Sequence, residues 1–249
     1  MNPRTKTDSE FQSAAKATTK SRRPGRQRVD EAQAALKAGE PEELDWQKAF
    51  FVERRLREAQ IPRRFQKKTL ENFAKSGAAR RHLVENAERF INVFNLNDDK
   101  LHPGLMMSGP VGCGKSHLGI AILREIIAKG YSGLYYNSPD LLRDIRATYS
   151  ADSGPTEDTL LEEVSEVDLL LLDDVGAEKV SGFVLDRFYL IVNKRYEGCK
   201  PIIVTTNLDE HELRNRLEDR IVSRLKEMCS DSLRFPEEDY RRLKLKGTG

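Results

Sequence analysis

The sequence predicts an α/β chain in which a central parallel β-sheet is sandwiched between helical layers. Three observations predict it. Short apolar runs of strand length recur along the chain, helical patterns separate them, and one run leads directly into a glycine-rich loop that opens a helix. The runs are Leu105-Met106-Met107, Gly133-Leu134-Tyr135-Tyr136, Leu169 to Leu172 and Ile202-Ile203-Val204-Thr205. They are near-continuous rather than alternating, as expected of central strands covered on both faces. The intervening patterns run from His117 to Lys129, Ser138 to Tyr149 and Gly182 to Tyr196. Strand and helix in alternation imply a parallel sheet in a three-layer sandwich.

The chain has 249 residues, enough for one large domain with an appendage or for two small ones. Hydrophobic residues make up 38% and charged residues 33%, so part of the chain is expected to be exposed or unfolded. The net charge of +2 does not by itself identify a nucleic-acid binder. No apolar run reaches the ~20 residues needed to span a bilayer. The start Met1-Asn2-Pro3-Arg4 has no apolar core after it, so neither a signal peptide nor a membrane partner is expected, and a cytoplasmic location is. Cys113, Cys199 and Cys229 form no CxxC pair, which argues against a zinc site or a disulfide framework.

Residues 1–40 are rich in Lys, Arg, Ser, Thr, Ala and Gln, with a basic run from Ser21 to Arg28 broken by Pro24 and Gly25. Such a segment buries too little apolar surface to fold, so a disordered basic tail is expected. It is either a nucleic-acid or partner-binding arm or a solvated tail. Residues 42 to 60 read as a helix with Trp46, Phe50, Phe51, Val52 and Leu56 on one apolar face. Ile61-Pro62 should end it, because the residue before proline is steered out of the helical region. The expected organisation is a tail over 1–40, a helical segment over 41–62, a main domain over 63–240 and a flexible end over 241–249.

Gly109-Pro110-Val111-Gly112-Cys113-Gly114-Lys115-Ser116 fits the phosphate-loop pattern GxxxxGK[ST], and the strand before it and the helix after it supply the required context. The glycines let backbone N–H groups turn toward phosphates, and the helix N-terminus adds partial positive charge. His117 follows at the helix start and belongs to the same candidate nucleotide-binding stretch. Lys115 is suited to the β- and γ-phosphates of ATP, and the Ser116 hydroxyl to Mg2+.

The run Leu169 to Leu172 ends in Asp173-Asp174. Ligands of such sheets sit beyond the carboxyl ends of the strands. Asp173 is placed to hold the magnesium, directly or through water, and Asp174 to orient or deprotonate the attacking water. The next strand ends in Thr205-Thr206-Asn207. Asn207 reads either as a sensor of the attacking water or the γ-phosphate, or as the cap of the helix that follows. Arg220 and Arg224 share one helix face, either as a salt-bridged surface or as an arginine finger reaching a neighbouring subunit's ATP site.

Phosphate loop, Asp-Asp strand end, Thr-Asn strand end and Ser223-Arg224-Leu225, in this order, resemble an AAA+ ATPase of the DnaC/IstB family, closest to the DnaC-type loaders of bacterial replicative helicases. Ile61 to Phe65 and Thr69 to Phe73 resemble the family's lead-in, and Leu233-Arg234-Phe235 with Asp239-Tyr240-Arg241 its final strand and tail. The resemblance implies a P-loop NTPase core without a C-terminal lid, Mg-dependent ATP hydrolysis used as a switch in DNA replication, and self-association into an ATP-dependent spiral. It matches Arg224 to the finger, with Arg220 as second candidate. It implies that the helical segment 41–62 holds the replicative DNA helicase. It also implies a helix that binds single-stranded DNA, carried here by Arg143, Arg146 and Tyr149, in which arginines meet phosphates and the aromatic ring stacks on a base.

Two alternatives share the core. One is a transposition helper of the IstB type. The other is an adaptor that binds ATP without turning it over, left open by Asp174 where many AAA+ proteins carry Glu. A small-molecule kinase would need a lid and an acceptor site, and neither is visible.

Overall fold

Why the apolar runs are continuous becomes clear from the two cores of the sheet. The computed structural model describes residues 41–74, 77–96, 104–150, 154–229 and 231–236. The basic tail over 1–40 and the final segment with Asp239, Tyr240 and Arg241 lie outside the described residues. Five strands, β1 (Leu105–Ser108), β2 (Gly133–Asn137), β3 (Leu169–Asp173), β4 (Ile202–Thr206) and β5 (Asp231–Arg234), form one sheet in the order β2-β3-β4-β1-β5, and every pairing is parallel. Alternate side chains of each strand point to opposite faces. Leu105, Met107, Tyr135, Leu169, Leu171 and Ile203 enter one core, while Leu134, Tyr136, Leu170, Leu172, Ile202 and Val204 enter the other. Both faces are covered, so both sets of positions are largely apolar.

The first core packs under α1 (Pro41–Glu58), α2 (Ala78–Val93) and α3 (Lys115–Ala128). The second packs under α4 (Ser138–Ala147), α5 (Glu157–Glu166), α6 (Gly182–Glu197), α7 (Glu210–Leu217) and α8 (Asp219–Met228). A 3-10 turn at Arg63–Phe65 belongs to the lead-in, and another at Thr148–Ser150 extends α4. Helices α5, α6 and α7 start where Thr156, Ser181 and Asp209 accept hydrogen bonds from backbone N–H groups of the first turn. Helices α2 and α5 carry no motif and were not singled out in the sequence.

Two expectations are corrected. The run Gly133 to Tyr136 reads as a central strand, yet β2 stands at the sheet edge. It is buried because the end of α1 closes that edge: the Tyr135 N–H donates to the Ala59 carbonyl at 2.9 Å. The apolar face of α1 is also narrower than expected. Val52 and Leu56 pack on the core, while Phe50 and Phe51 are 58% and 45% exposed and touch each other edge to face. At about 100° per residue, Val52, Leu56 and Ala59 share one stripe that Phe50 and Phe51 fall outside. The Trp46 side chain lies outside the described ones. Helix α1 stops before Pro62 acts: Gln60 turns into the left-handed region at φ 55°, a common way to end a helix.

Candidate nucleotide site

Strand β1 delivers the loop and α3 receives it. Gly109, Gly112 and Gly114 have φ of 145°, 82° and 110°, values that a side chain would strain. A Cβ on Gly114 would also lie 3.1 Å from the Phe73 ring. Phe73 is buried beside the loop and meets the His117 ring edge to face at 5.2 Å. A His117 ring nitrogen lies 3.0 Å from the Thr69 carbonyl oxygen, and the buried Arg80 donates to the Cys113 carbonyl at 3.3 Å. The lead-in therefore buttresses the phosphate loop. Pro110, Val111 and Gly112 line the outer turn with Val111 exposed, Cys113 is buried inward, and Ser116 opens the first turn of α3 half-buried.

Lys115 Nζ donates to the carbonyls of Gly109 at 2.7 Å and Pro110 at 2.9 Å, and to Asn207 Oδ1 at 2.6 Å. Burial pushes its pKa below the ordinary lysine value, against the opposing charges of Cys113, Asp174 and Asp173. Asn207 Nδ2 donates onward to Asp174 Oδ1 at 2.7 Å. Asn207 is thus the hinge of a polar chain from the loop lysine to the second acid. It is not a helix cap: Asp209 fills that role for α7, with Glu212 completing the capping box.

The two adjacent acids have different surroundings. Asp173 is 4% exposed, and each carboxylate oxygen accepts one hydroxyl proton, Oδ1 from Thr205 at 2.5 Å and Oδ2 from Tyr135 at 3.1 Å. Asp174 turns away with φ 62°; its N–H donates to Thr205 Oγ1 at 2.9 Å, and its side chain faces Asn207. One acid is held on both oxygens, while the other is half-buried with an oxygen to spare. Tyr135 and Thr205 escaped the sequence reading. Thr205 stands within a quoted strand end, but nothing along the chain marks Tyr135 as more than a strand residue.

Among the described residues, no group of three or more His, Cys, Asp and Glu side chains could hold a metal by itself. A magnesium ion that keeps waters and shares phosphate oxygens needs only one or two protein oxygens. The Asp173 carboxylate and the Ser116 hydroxyl are donors of that kind.

The remaining candidates lie in two other groups. On α4, Arg143 is ion-paired with Asp140 at 2.6 Å and Asp144 at 3.0 Å. Arg146 lies over the Phe183 ring at 4.9 Å. Tyr149 is 58% exposed with its ring edge-on to Phe183, and its hydroxyl accepts from Arg187 at 2.5 Å and donates to Glu157. Phe183 and Arg187 were missed, since only the packing of α6 beside α4 unites them with Tyr149. On α8, Arg220 and Arg224 lie over the Tyr189 ring at 4.5 Å and 4.8 Å, and Arg220 pairs with Glu218 at 2.9 Å. These contacts unite them with α6 and not with the phosphate loop of their own chain.

No described helix is long and apolar enough to cross a membrane. A family model described as IstB-like ATP binding protein matches residues 13–240. The replicative helicase loader DnaC of Buchnera aphidicola subsp. Schizaphis graminum is 30% identical over 194 residues, covering 78% of this chain and 77% of that protein. A crystal structure of the DnaC helicase loader superposes with a TM-score of 0.63 at 25% identity, covering 70% of this chain and all of that one. A replication initiator DnaA bound to AMPPCP and single-stranded DNA superposes with a TM-score of 0.59 at 27% identity, covering 73% of this chain and 55% of that one. With its five-stranded parallel sheet and phosphate loop, the chain belongs to the IstB-like ATP-binding protein family of AAA+ proteins, the family that includes the DnaC helicase loaders.

Proposed function

We propose that this chain is an ATP-dependent replicative helicase loader that works in the cytoplasm. The observation that carries the reading is the Lys115–Asn207–Asp174 chain, a built connection between phosphate loop and acid, in a protein 30% identical to a named loader. ATP supplies a cleavable γ-phosphate, and Mg2+ offsets its negative charge. Lys115 would exchange the Gly109 and Pro110 carbonyls for phosphate oxygens, while the backbone N–H groups of the loop, which Pro110 lacks, would wrap the triphosphate. Ser116 and Asp173 would hold the magnesium. Asn207, released from Lys115, orients the attacking water, and Asp174 accepts its proton. Hydrolysis then resets a contact made across subunits by Arg224, with Arg220 as the second candidate, in a spiral of copies.

Single-stranded DNA is met by Arg143, Arg146 and Tyr149. Exposed Tyr149 stacks on a base, and the adjacent cations track phosphates. The segment 41–62 holds the replicative helicase, and the exposed pair Phe50 and Phe51 supports that use. The test is loading of the host's replicative helicase onto closed circular single-stranded DNA with ATP, beside Lys115→Ala and Arg224→Ala. Loading by the unaltered protein that fails or stalls in both variants supports the reading.

The IstB-like description of the family model favours one second reading, a transposition helper on duplex DNA. Absence of loading and of any complex with the helicase would move the conclusion there. Nucleotide binding without turnover would instead leave an ATP-dependent adaptor.

A further inference from the structure

The acid that ends β3 is clamped from both neighbouring strands, and this clamp has a consequence for the metal. Tyr135 stands on β2 opposite Leu171, two residues before the position opposite Asp173, so its ring lies on the same sheet face as the Asp173 side chain. Its backbone N–H is bonded to Ala59, and its ring rests against Phe65 with centroids 6.4 Å apart, which fixes where the hydroxyl points. That hydroxyl donates to Asp173 Oδ2 at 3.1 Å. From the other side, on β4, the Thr205 hydroxyl donates to Oδ1 at 2.5 Å and accepts the Asp174 N–H at 2.9 Å.

We infer that Tyr135 and Thr205 are positioning residues that lock the Asp173 carboxylate in one orientation for magnesium bound with the nucleotide. A carboxylate has about four acceptor sites, and the two hydroxyls take one on each oxygen, leaving the others for a metal or its waters. Both donors are neutral, so the carboxylate keeps its whole charge for the cation. An arginine or lysine in either place would compete with the metal instead. Thr205 also carries the N–H of Asp174, so one hydroxyl sets the relative placement of both acids. Partners behind a metal ligand commonly contribute 10–100-fold to metal affinity by fixing its orientation.

The inference rests on the reading of Asp173 as the magnesium carboxylate, and the test separates the two. Binding of a fluorescent ATP analogue to the full chain is measured across a magnesium titration and again in EDTA, for Tyr135→Phe, Thr205→Val, Thr205→Ser and Asp173→Asn. The magnesium midpoint is expected to rise about tenfold in Tyr135→Phe and Thr205→Val. Thr205→Ser, which keeps the hydroxyl, should return close to the unaltered midpoint. Affinity in EDTA should stay within twofold for all three. A shifted midpoint in Asp173→Asn with unmoved midpoints in Tyr135→Phe and Thr205→Val would overturn the positioning role alone. An unmoved midpoint in Asp173→Asn would overturn both. Loss of affinity in EDTA equal to that in magnesium would mean the hydroxyls only support the fold.

Discussion

Arg195 on α6 is fully buried, and its hydrogen bonds go to carbonyl groups. Nη1 donates to Val164 and Val167 at 2.9 Å each, with a longer contact to Ser165 at 3.3 Å. Nη2 donates to Pro201 at 2.5 Å, with Asp168 at 3.5 Å. Val164 and Ser165 lie in the last turn of α5, where a cation also complements the helix dipole. Val167 and Pro201 precede β3 and β4, so one side chain joins a helix end to two strand starts. Burial lowers its pKa from 12.5 to about 9, so the low-dielectric surroundings oppose the charge. Three short charge-assisted bonds at about 1.5–3 kcal/mol each work against that cost.

Arg195→Met removes the charge and its burial cost but leaves the carbonyls without their donor. The net loss is about 3 kcal/mol, at the low end for breaking a buried charged arrangement. For a chain of this size that is a fall of roughly 6–12 °C in the thermal midpoint. Arg195→Lys should do no better, because an ammonium keeps the burial cost while its single nitrogen cannot reach both the Val164–Val167 side and the Pro201 side. Thermal unfolding followed by circular dichroism measures both. A fall below about 2 °C in Arg195→Met, or full stability in Arg195→Lys, would refute the reasoning.

The other predictions concern the candidate sites. Asn207→Ala should leave nucleotide affinity within a few-fold and the thermal midpoint unchanged, since the side chain is exposed, but should lower single-turnover hydrolysis about 10²–10³-fold; equal losses in binding and turnover would contradict its sensing role. Tyr149→Ala should weaken single-strand binding by about 1–3 kcal/mol in fluorescence anisotropy. Arg143→Ala should cost less than Arg146→Ala in the same assay, because Asp140 and Asp144 already hold Arg143, and the reverse order would count against that account. Burial pushes the Cys229 thiol from 9.0 up to about 12. The folded state therefore holds its proton where the unfolded state has lost it, so stability should fall as pH rises above 9. Cys229→Ala should flatten that fall in denaturant titrations at pH 8 to 11.

Sequence and structure divide the remaining information along a physical line. The phosphate loop was legible because its chemistry lies in consecutive residues between a strand and a helix. Asp173 and Asp174 were legible because a buried strand has to end where the sheet meets solvent. The four apolar runs were legible because burial on both faces favours apolar residues at almost every position, with the few polar groups hydrogen-bonded. None of these needs knowledge of a distant partner.

Other features depend on which strands become neighbours, and local patterns do not encode that. Tyr135 meets Asp173 across 38 residues, and Lys115 meets Asn207 across 92. A shift of one residue in the pairing of β2 with β3 would turn Tyr135 to the face opposite Asp173 and break that contact. The edge position of β2 has the same origin, and the grouping of Phe183 with Tyr149 depends in the same way on which helices pack side by side. By itself the sequence determined that the chain has a parallel sheet, a phosphate loop and an acidic strand end, because short-range periodicity and contiguous chemistry suffice for these. Only the tertiary structure decided which hydroxyls hold which acid, which asparagine reaches the lysine and which aromatic rings stay exposed, because those are outcomes of long-range packing.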